Sequence, residues 1–191
     1  MRKVTSRWVP HQLTDEQKQP RVQLCRENLT KFQDGSWRLC DIITGDETCI
    51  YHRQIHHKST NATWIGESES PTTIEIWKQR KSAGIKGVKL LHDNAGLHRH
   101  SDVINYLTEE GINIMPHPPY SPDLAPCDYW LNDYIKCNLS DQPNEKSLAR
   151  AVSKVVKNIP KEEFTKTFDK LLGRMELCIN NHGDYFEHLI K

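Results

Sequence analysis

The chain has 191 residues, of which 36% are hydrophobic, and its 26 basic and 25 acidic side chains leave a formal net charge of +1. That length suits one domain with a helical appendage and not two full domains, and no apolar run approaches the roughly 18 residues of a membrane-spanning helix, which excludes an integral membrane protein. Residues 1–8 lack the apolar stretch of a secretory signal. The six cysteines, at 25, 40, 49, 127, 137 and 178 with no C-x-x-C pair, therefore read as reduced intracellular thiols. The histidines and cysteines form no four-ligand block with zinc spacing, and a near-neutral total leaves nucleic acid open, because local basic patches vanish in the sum.

Pro10 keeps the basic first residues, ending Trp8-Val9-Pro10-His11-Gln12-Leu13, out of a regular helix. Thr14 reads as an N-cap before Asp15, Glu16 and Gln17, predicting a helix to about Phe32 that carries Pro20 as a cost. Asp34-Gly35-Ser36 then turns the chain. Residues 39–43 predict a short buried strand, 48–51 a second, 62–65 a strand-like piece and 87–91 another buried strand. A helix follows carrying Val103, Ile104 and Leu107, stopped by Gly111, and residues 112–115 return as a strand. Pro116, Pro118, Pro119, Pro122 and Pro126 dictate an extended, rigid connection, and the last of them can open a helix with Asp128 near its start and Tyr129, Trp130 and Ile135 along it. Two C-terminal helices complete the chain. The first has the stripe Leu148, Val152, Val155 and Ile159; beyond Pro160 the second has Phe164, Phe168, Leu171, Leu172, Met175 and Ile179, ending in a turn at 181–184. This order predicts a mixed α/β fold with a central sheet covered by helices.

Three aspartates share one kind of position. Asp46 turns out of a strand, Asp93 ends another, and Asp128 sits at a helix start after a third. Ligands of open α/β sheets gather outside strand ends, so all three can converge on one edge. Converging carboxylates repel unless cations neutralise them, and hard divalent ions such as Mg²⁺ prefer oxygen ligands. Two such ions can activate an attacking oxygen and stabilise the leaving one in phosphodiester chemistry. Taken singly, each aspartate is better read as an ordinary turn or first-turn acid.

The surrounding words change that balance. Thr44-Gly45-Asp46-Glu47, His92-Asp93-Asn94-Ala95 and Pro116-His117-Pro118-Pro119-Tyr120-Ser121-Pro122-Asp123-Leu124-Ala125-Pro126-Cys127-Asp128-Tyr129 closely resemble the mariner transposases of the Tc1/mariner superfamily. So do the 34 residues between Asp93 and Asp128, the word Trp8-Val9-Pro10-His11 with Leu13, and Cys178, Gly183, Tyr185 and Phe186. The resemblance runs nearly end to end. It implies an RNase H-like mixed sheet flanked by helices, with Asp46, Asp93 and Asp128 as the catalytic, metal-binding residues of a two-metal site for Mg²⁺ or Mn²⁺. It implies DNA as partner (transposon ends and target), a possible homodimer, no membrane, and a nuclear location. The reaction would be cleavage of transposon ends by water, then attack of the freed 3′-OH on target DNA. His98 also matches the family pattern.

On this resemblance residues 1–36 are an interdomain linker and helix, 37–140 an RNase H-like catalytic core, and 141–191 C-terminal helices. The helix-turn-helix units that precede the linker in the family are absent from the sequence. Only 46 residues separate Asp46 from Asp93, about half the family's interval, and the junction is placed at 70–77. Strands and a helix of the family's core are expected to be missing there. Gly96-Leu97 stands where the family often has Arg-Pro, and Cys49 where Trp is usual. The expectation is a mariner-type transposase catalytic domain in a defective or relic copy, in which metal-dependent nicking outlasts full transposition. The alternative is a non-catalytic DNA-binding or host-adopted interaction module, as in the transposase half of a SET-domain histone methyltransferase fusion, which the chain also resembles. Its best feature is a basic face: at 100° per residue Lys146, Arg150, Lys154 and Lys157 fall within roughly 80° of one another, opposite the apolar stripe. Such a face neutralises phosphates without reading sequence, although a solvated helix face looks the same.

Overall fold

A computed structural model of the chain describes residues 12–46, 48, 50, 87–96 and 98–190. Helix α1, Asp15–Gln33, starts where Thr14 and Gln17 predict: the Thr14 N–H donates to the Gln17 side chain at 3.0 Å. Pro20 lies inside this helix. It removes one donor from the ladder, a loss the helix tolerates because Arg21, Cys25, Asn28 and Leu29 are buried on one face.

Strand β1 is Ile42–Thr44, shorter than its apolar run. Leu39–Asp41 instead forms a 3-10 turn, closed by the Asp41 N–H to the Arg38 carbonyl at 3.0 Å and by a bond from the Arg38 side chain to Asp41 at 2.8 Å. Strand β2 is Lys89–Leu91 and β3 is Asn113–Ile114, in the order β1-β2-β3. Both pairings are parallel, with Ile43 opposite Leu90 and Leu90 opposite Ile114. Among the described residues the sheet is therefore wholly parallel, and no antiparallel strand makes it mixed. The strand expected at 48–51 falls partly, and the piece at 62–65 wholly, outside the described residues.

Helix α2, Ser101–Glu109, joins β2 to β3 and stops before Gly111, which adopts φ 71°. Of its apolar residues only Leu107 is buried, while Val103 and Ile104 face solvent. After the proline-rich connection and a 3-10 turn at Pro122–Leu124, helix α3 begins as a π turn, Cys127–Leu131, and continues as α-helix through Asn132–Cys137. Helix α4, Glu145–Lys157, is capped by Asn144, whose side chain accepts the Ser147 N–H at 2.9 Å. Helix α5 is Lys161–Asn180. No helix among the described residues is long and apolar enough to cross a membrane.

The core lies where α1 and α5 meet the sheet: Cys25 and Leu29 from α1, Ile42, Leu91 and Met115 from the strands, Leu171, Met175 and Cys178 from α5, with Leu124 and Phe186. Into it runs a buried charge. The Arg21 guanidinium grips the Asp123 carboxylate with both terminal nitrogens and donates to Ser121 Oγ at 2.6 Å and the Gly183 carbonyl at 2.7 Å. One side chain thus fastens α1 to the turn before α3 and to the turn after α5. At the second of these, Gly183 (φ 85°) packs so closely on α1 that a Cβ there would land on the Lys18 carbonyl.

Candidate functional site

Parallel strands send their C-terminal ends to one edge, and the register fixes which residues meet there. Thr44 and Leu91 are the last partners of β1 and β2, and the Gly45 N–H extends the ladder by donating to the Leu91 carbonyl at 3.1 Å. Asp46 and Asp93 each follow two residues beyond that pair. Asp128 reaches the same edge because α3 is pinned on two sides. Thr44 Oγ1 contacts Cys127 Sγ at 3.4 Å, fastening the start of α3 to the end of β1. Opposite, the Tyr129 hydroxyl donates to the Thr167 carbonyl on α5 at 3.0 Å, and Arg174 stacks over the Tyr129 ring at 4.0 Å.

The structure brings Asp46 and Asp128 into direct contact. Burial, the charge of Asp46 and a hydrogen bond between the two carboxyls push Asp128 up to about 6, with Asp93 adding a weaker repulsion. Asp46 also accepts a bond from Asn132 Nδ2 at 3.3 Å. Asp93 is held in place by its neighbours: the Ala95 N–H donates to its Oδ1 at 3.0 Å, and His98 Nε2 lies 3.4 Å from the same oxygen. The His98 ring leans on His92 with 5.0 Å between centroids. Beside them Asn94 donates to the His117 carbonyl at 2.7 Å, and burial pushes the His117 imidazole down to about 4, leaving it neutral at physiological pH.

Among the described residues no three His, Cys, Asp or Glu side chains gather within reach of a single ion. The donor chemistry nevertheless fits a hard divalent cation. Two carboxyls meet, the charge of Asp93 adds to the repulsion on Asp128, and a cation between them would relieve the repulsion that raises Asp128. Oxygen-only donors match Mg²⁺ or Mn²⁺ better than a softer metal.

Lys146, Arg150, Lys154 and Lys157 are all exposed along α4. Arg150, Lys154 and Lys157 line one shallow open depression with Ala149, Ser153 and Asn158; Lys146 lies outside its lining. Sequence reasoning missed Asn132 and the Thr44–Cys127 contact. The offset of four between Asp128 and Asn132 was the available signal for the first; nothing local announced the second.

No protein-family model matches the chain. It is 26% identical over 229 residues to the Mariner Mos1 transposase of Drosophila mauritiana, covering 95% of this chain and 66% of the relative. It is 24% identical over 235 residues to the human histone-lysine N-methyltransferase SETMAR, covering 97% of this chain and 34% of the relative. In structure it matches the catalytic domain of Mos1 mariner transposase with a TM-score of 0.71 at 24% identity, covering 94% of this chain and all of that one. It matches the mariner Mos1 paired end complex with Mg with a TM-score of 0.75 at 25% identity, covering 98% of this chain and 68% of that one. The chain thus spans between about a third and two thirds of the length of these curated relatives. An alignment of 235 positions against 191 residues leaves at least 44 positions with no residue in this chain. The fold is that of the Mos1 catalytic domain, RNase H-like, with its small parallel sheet flanked by helices.

Proposed function

Because the chain is a homologue, in sequence and in fold, of the mariner transposase catalytic domain, we propose that it cleaves DNA strands with Mg²⁺ or Mn²⁺ at the edge formed by Asp46, Asp93 and Asp128. The observation that carries this reading is the contact between Asp46 and Asp128, like charges from different elements held side by side. Such an arrangement costs stability and recurs where carboxylates serve a cation or a proton transfer. Solved Mos1 complexes with Mn and with Mg support the choice of ion.

Asp46 and Asp128 would hold the cation, with Asp93 completing the two-metal arrangement expected of the family. When bound, such ions supply charge stabilisation at the phosphodiester and activation of the attacking hydroxyl. The chain's own residues do the rest. The Ala95 N–H and His98 orient the Asp93 carboxylate, and the anchoring of α3 on β1 and α5 fixes Asp128 relative to Asp46. Lys146, Arg150, Lys154 and Lys157 would bind the phosphate backbone. Kinship with the same relatives supports DNA as the substrate class; transposon ends and target, pairing as a homodimer and a nuclear location belong to the same proposal. The residues missing inside the alignment support a core, 37–140, shortened between Asp46 and Asp93, and hence a copy that nicks DNA without completing transposition.

Nicking of supercoiled plasmid tests this directly. The full chain should produce open circles with Mn²⁺ or Mg²⁺, and none with chelator or with Asp93→Ala. A wild-type chain that leaves the plasmid supercoiled, or nicking that survives Asp93→Ala, refutes the assignment. The open basic face of α4 favours a second reading, a non-catalytic DNA-binding module. That reading predicts salt-dependent DNA binding with no nicking at all.

A further inference from the structure

We propose that Asn132 is a positioning residue for the cation-binding edge, its side-chain amide holding the Asp46 carboxylate beside Asp128; this rests on the reading above that the edge binds a divalent cation. The Asn132 backbone N–H bonds to the Cys127 carbonyl five residues back, so the chain from Cys127 to Leu131 winds more widely than the about 3.6 residues per turn of an α-helix. Residues four apart share one face of a helix whether its turn is α or π, so Asn132 stands on the same face of α3 as Asp128. From there its Nδ2 donates to Asp46 Oδ2 at 3.3 Å.

Asp46 needs such a tether. It is exposed, it follows Gly45 at the end of a three-residue strand, and Asp128, the carboxyl it touches, repels it once both are ionised. The chemistry of an amide suits the task. Its N–H takes one lone pair of Oδ2 and leaves Oδ1 and the remaining lone pairs for a cation. A lysine or arginine in the same place would compete with the metal for the carboxylate, and an aspartate would add a third repelling charge. Half-buried on α3, Asn132 ties the helix that carries one ligand to the strand end that carries the other.

Calorimetric titration of the full chain with Mn²⁺ alone tests the assignment without relying on catalysis. Asn132→Ala should weaken Mn²⁺ binding about tenfold or more, as loss of an outer-sphere partner does. Asn132→Gln, whose amide still donates, should restore most of it. Both variants should melt with the wild type, because alanine is a good helix former and the site is half-exposed. Asn132→Ala binding as tightly as wild type, or Asn132→Gln binding as weakly as Asn132→Ala, overturns the positioning role and leaves the cation reading intact. A wild-type chain that takes up no Mn²⁺, or an Asp46→Asn variant that binds it normally, overturns both.

Discussion

Replacing Asp123 by leucine should be among the most damaging single changes in the chain. Arg21 is fully buried and Asp123 nearly so, and their bidentate contact sits with the bonds to Ser121 and Gly183 at the junction of α1, α3 and α5. Breaking a buried ion pair from one side ordinarily costs about 3–5 kcal/mol, because the remaining charge stays desolvated. Here the guanidinium keeps its bonds to Ser121 Oγ and the Gly183 carbonyl, which places the expected loss near the lower end, at about 3 kcal/mol. For a chain of this size that lowers the melting temperature by roughly 6–12 °C. Removing both charges, in Arg21→Met with Asp123→Leu, should cost clearly less than the sum of the two single variants. Urea unfolding followed by circular dichroism measures all three. An Asp123→Leu loss below about 1 kcal/mol, or strictly additive effects, would refute the view that this pair locks the helices together.

Other consequences follow from single features. Gly183→Ala forces a side chain onto the Lys18 carbonyl at φ 85° and should destabilise the chain by about 2 kcal/mol or more, read from the same urea curves. Desolvation in the fold pushes the His117 imidazole from its ordinary value of about 6.5 down to about 4. Its contribution is therefore fully present above pH 6.5 and lost progressively as the pH falls to 4, up to about 3 kcal/mol. A His117→Asn variant should show a correspondingly flatter fall in stability over that window, and identical slopes would contradict a half-buried imidazole held neutral. Neutralising Arg150, Lys154 and Lys157 together should lower the slope of log K against log salt for duplex DNA by about 3, without changing the melting temperature. An unchanged slope would remove α4 from the DNA surface.

What could be read from the residues divides by the range of the interactions involved. The start of α1 was legible because Thr14 and Gln17 cap it locally, and the ends of α2 and α5 because Gly111 and the turn before Gly183 stop them locally. The strand at 39–43 was overextended because Arg38 and Asp41, three residues apart, favour a 3-10 turn over the first half of an apolar run. Val103 and Ile104 show the limit of periodicity, which names a face of α2 but not whether anything covers it. The candidate site was legible as a set of strand-end aspartates, since their flanking words and spacing marked them. The contact of Asp46 with Asp128 was not, because it depends on the β1 and β2 register and on the tether of Thr44 to Cys127. Arg21 and Asp123 lie 102 residues apart, and no local signal pairs two charges at that distance. Asn132 was signalled only by its offset of four from Asp128; that its amide reaches Asp46 depends on how α3 is fastened to the end of β1.

If the strand-end aspartates form a divalent-cation site, anomalous diffraction from crystals of the full chain soaked in Mn²⁺ should show a peak against the carboxylates of Asp46 and Asp128, lost in an Asp128→Ala crystal. Full soaking that leaves this edge without a peak, while the two carboxylates remain side by side, would contradict it.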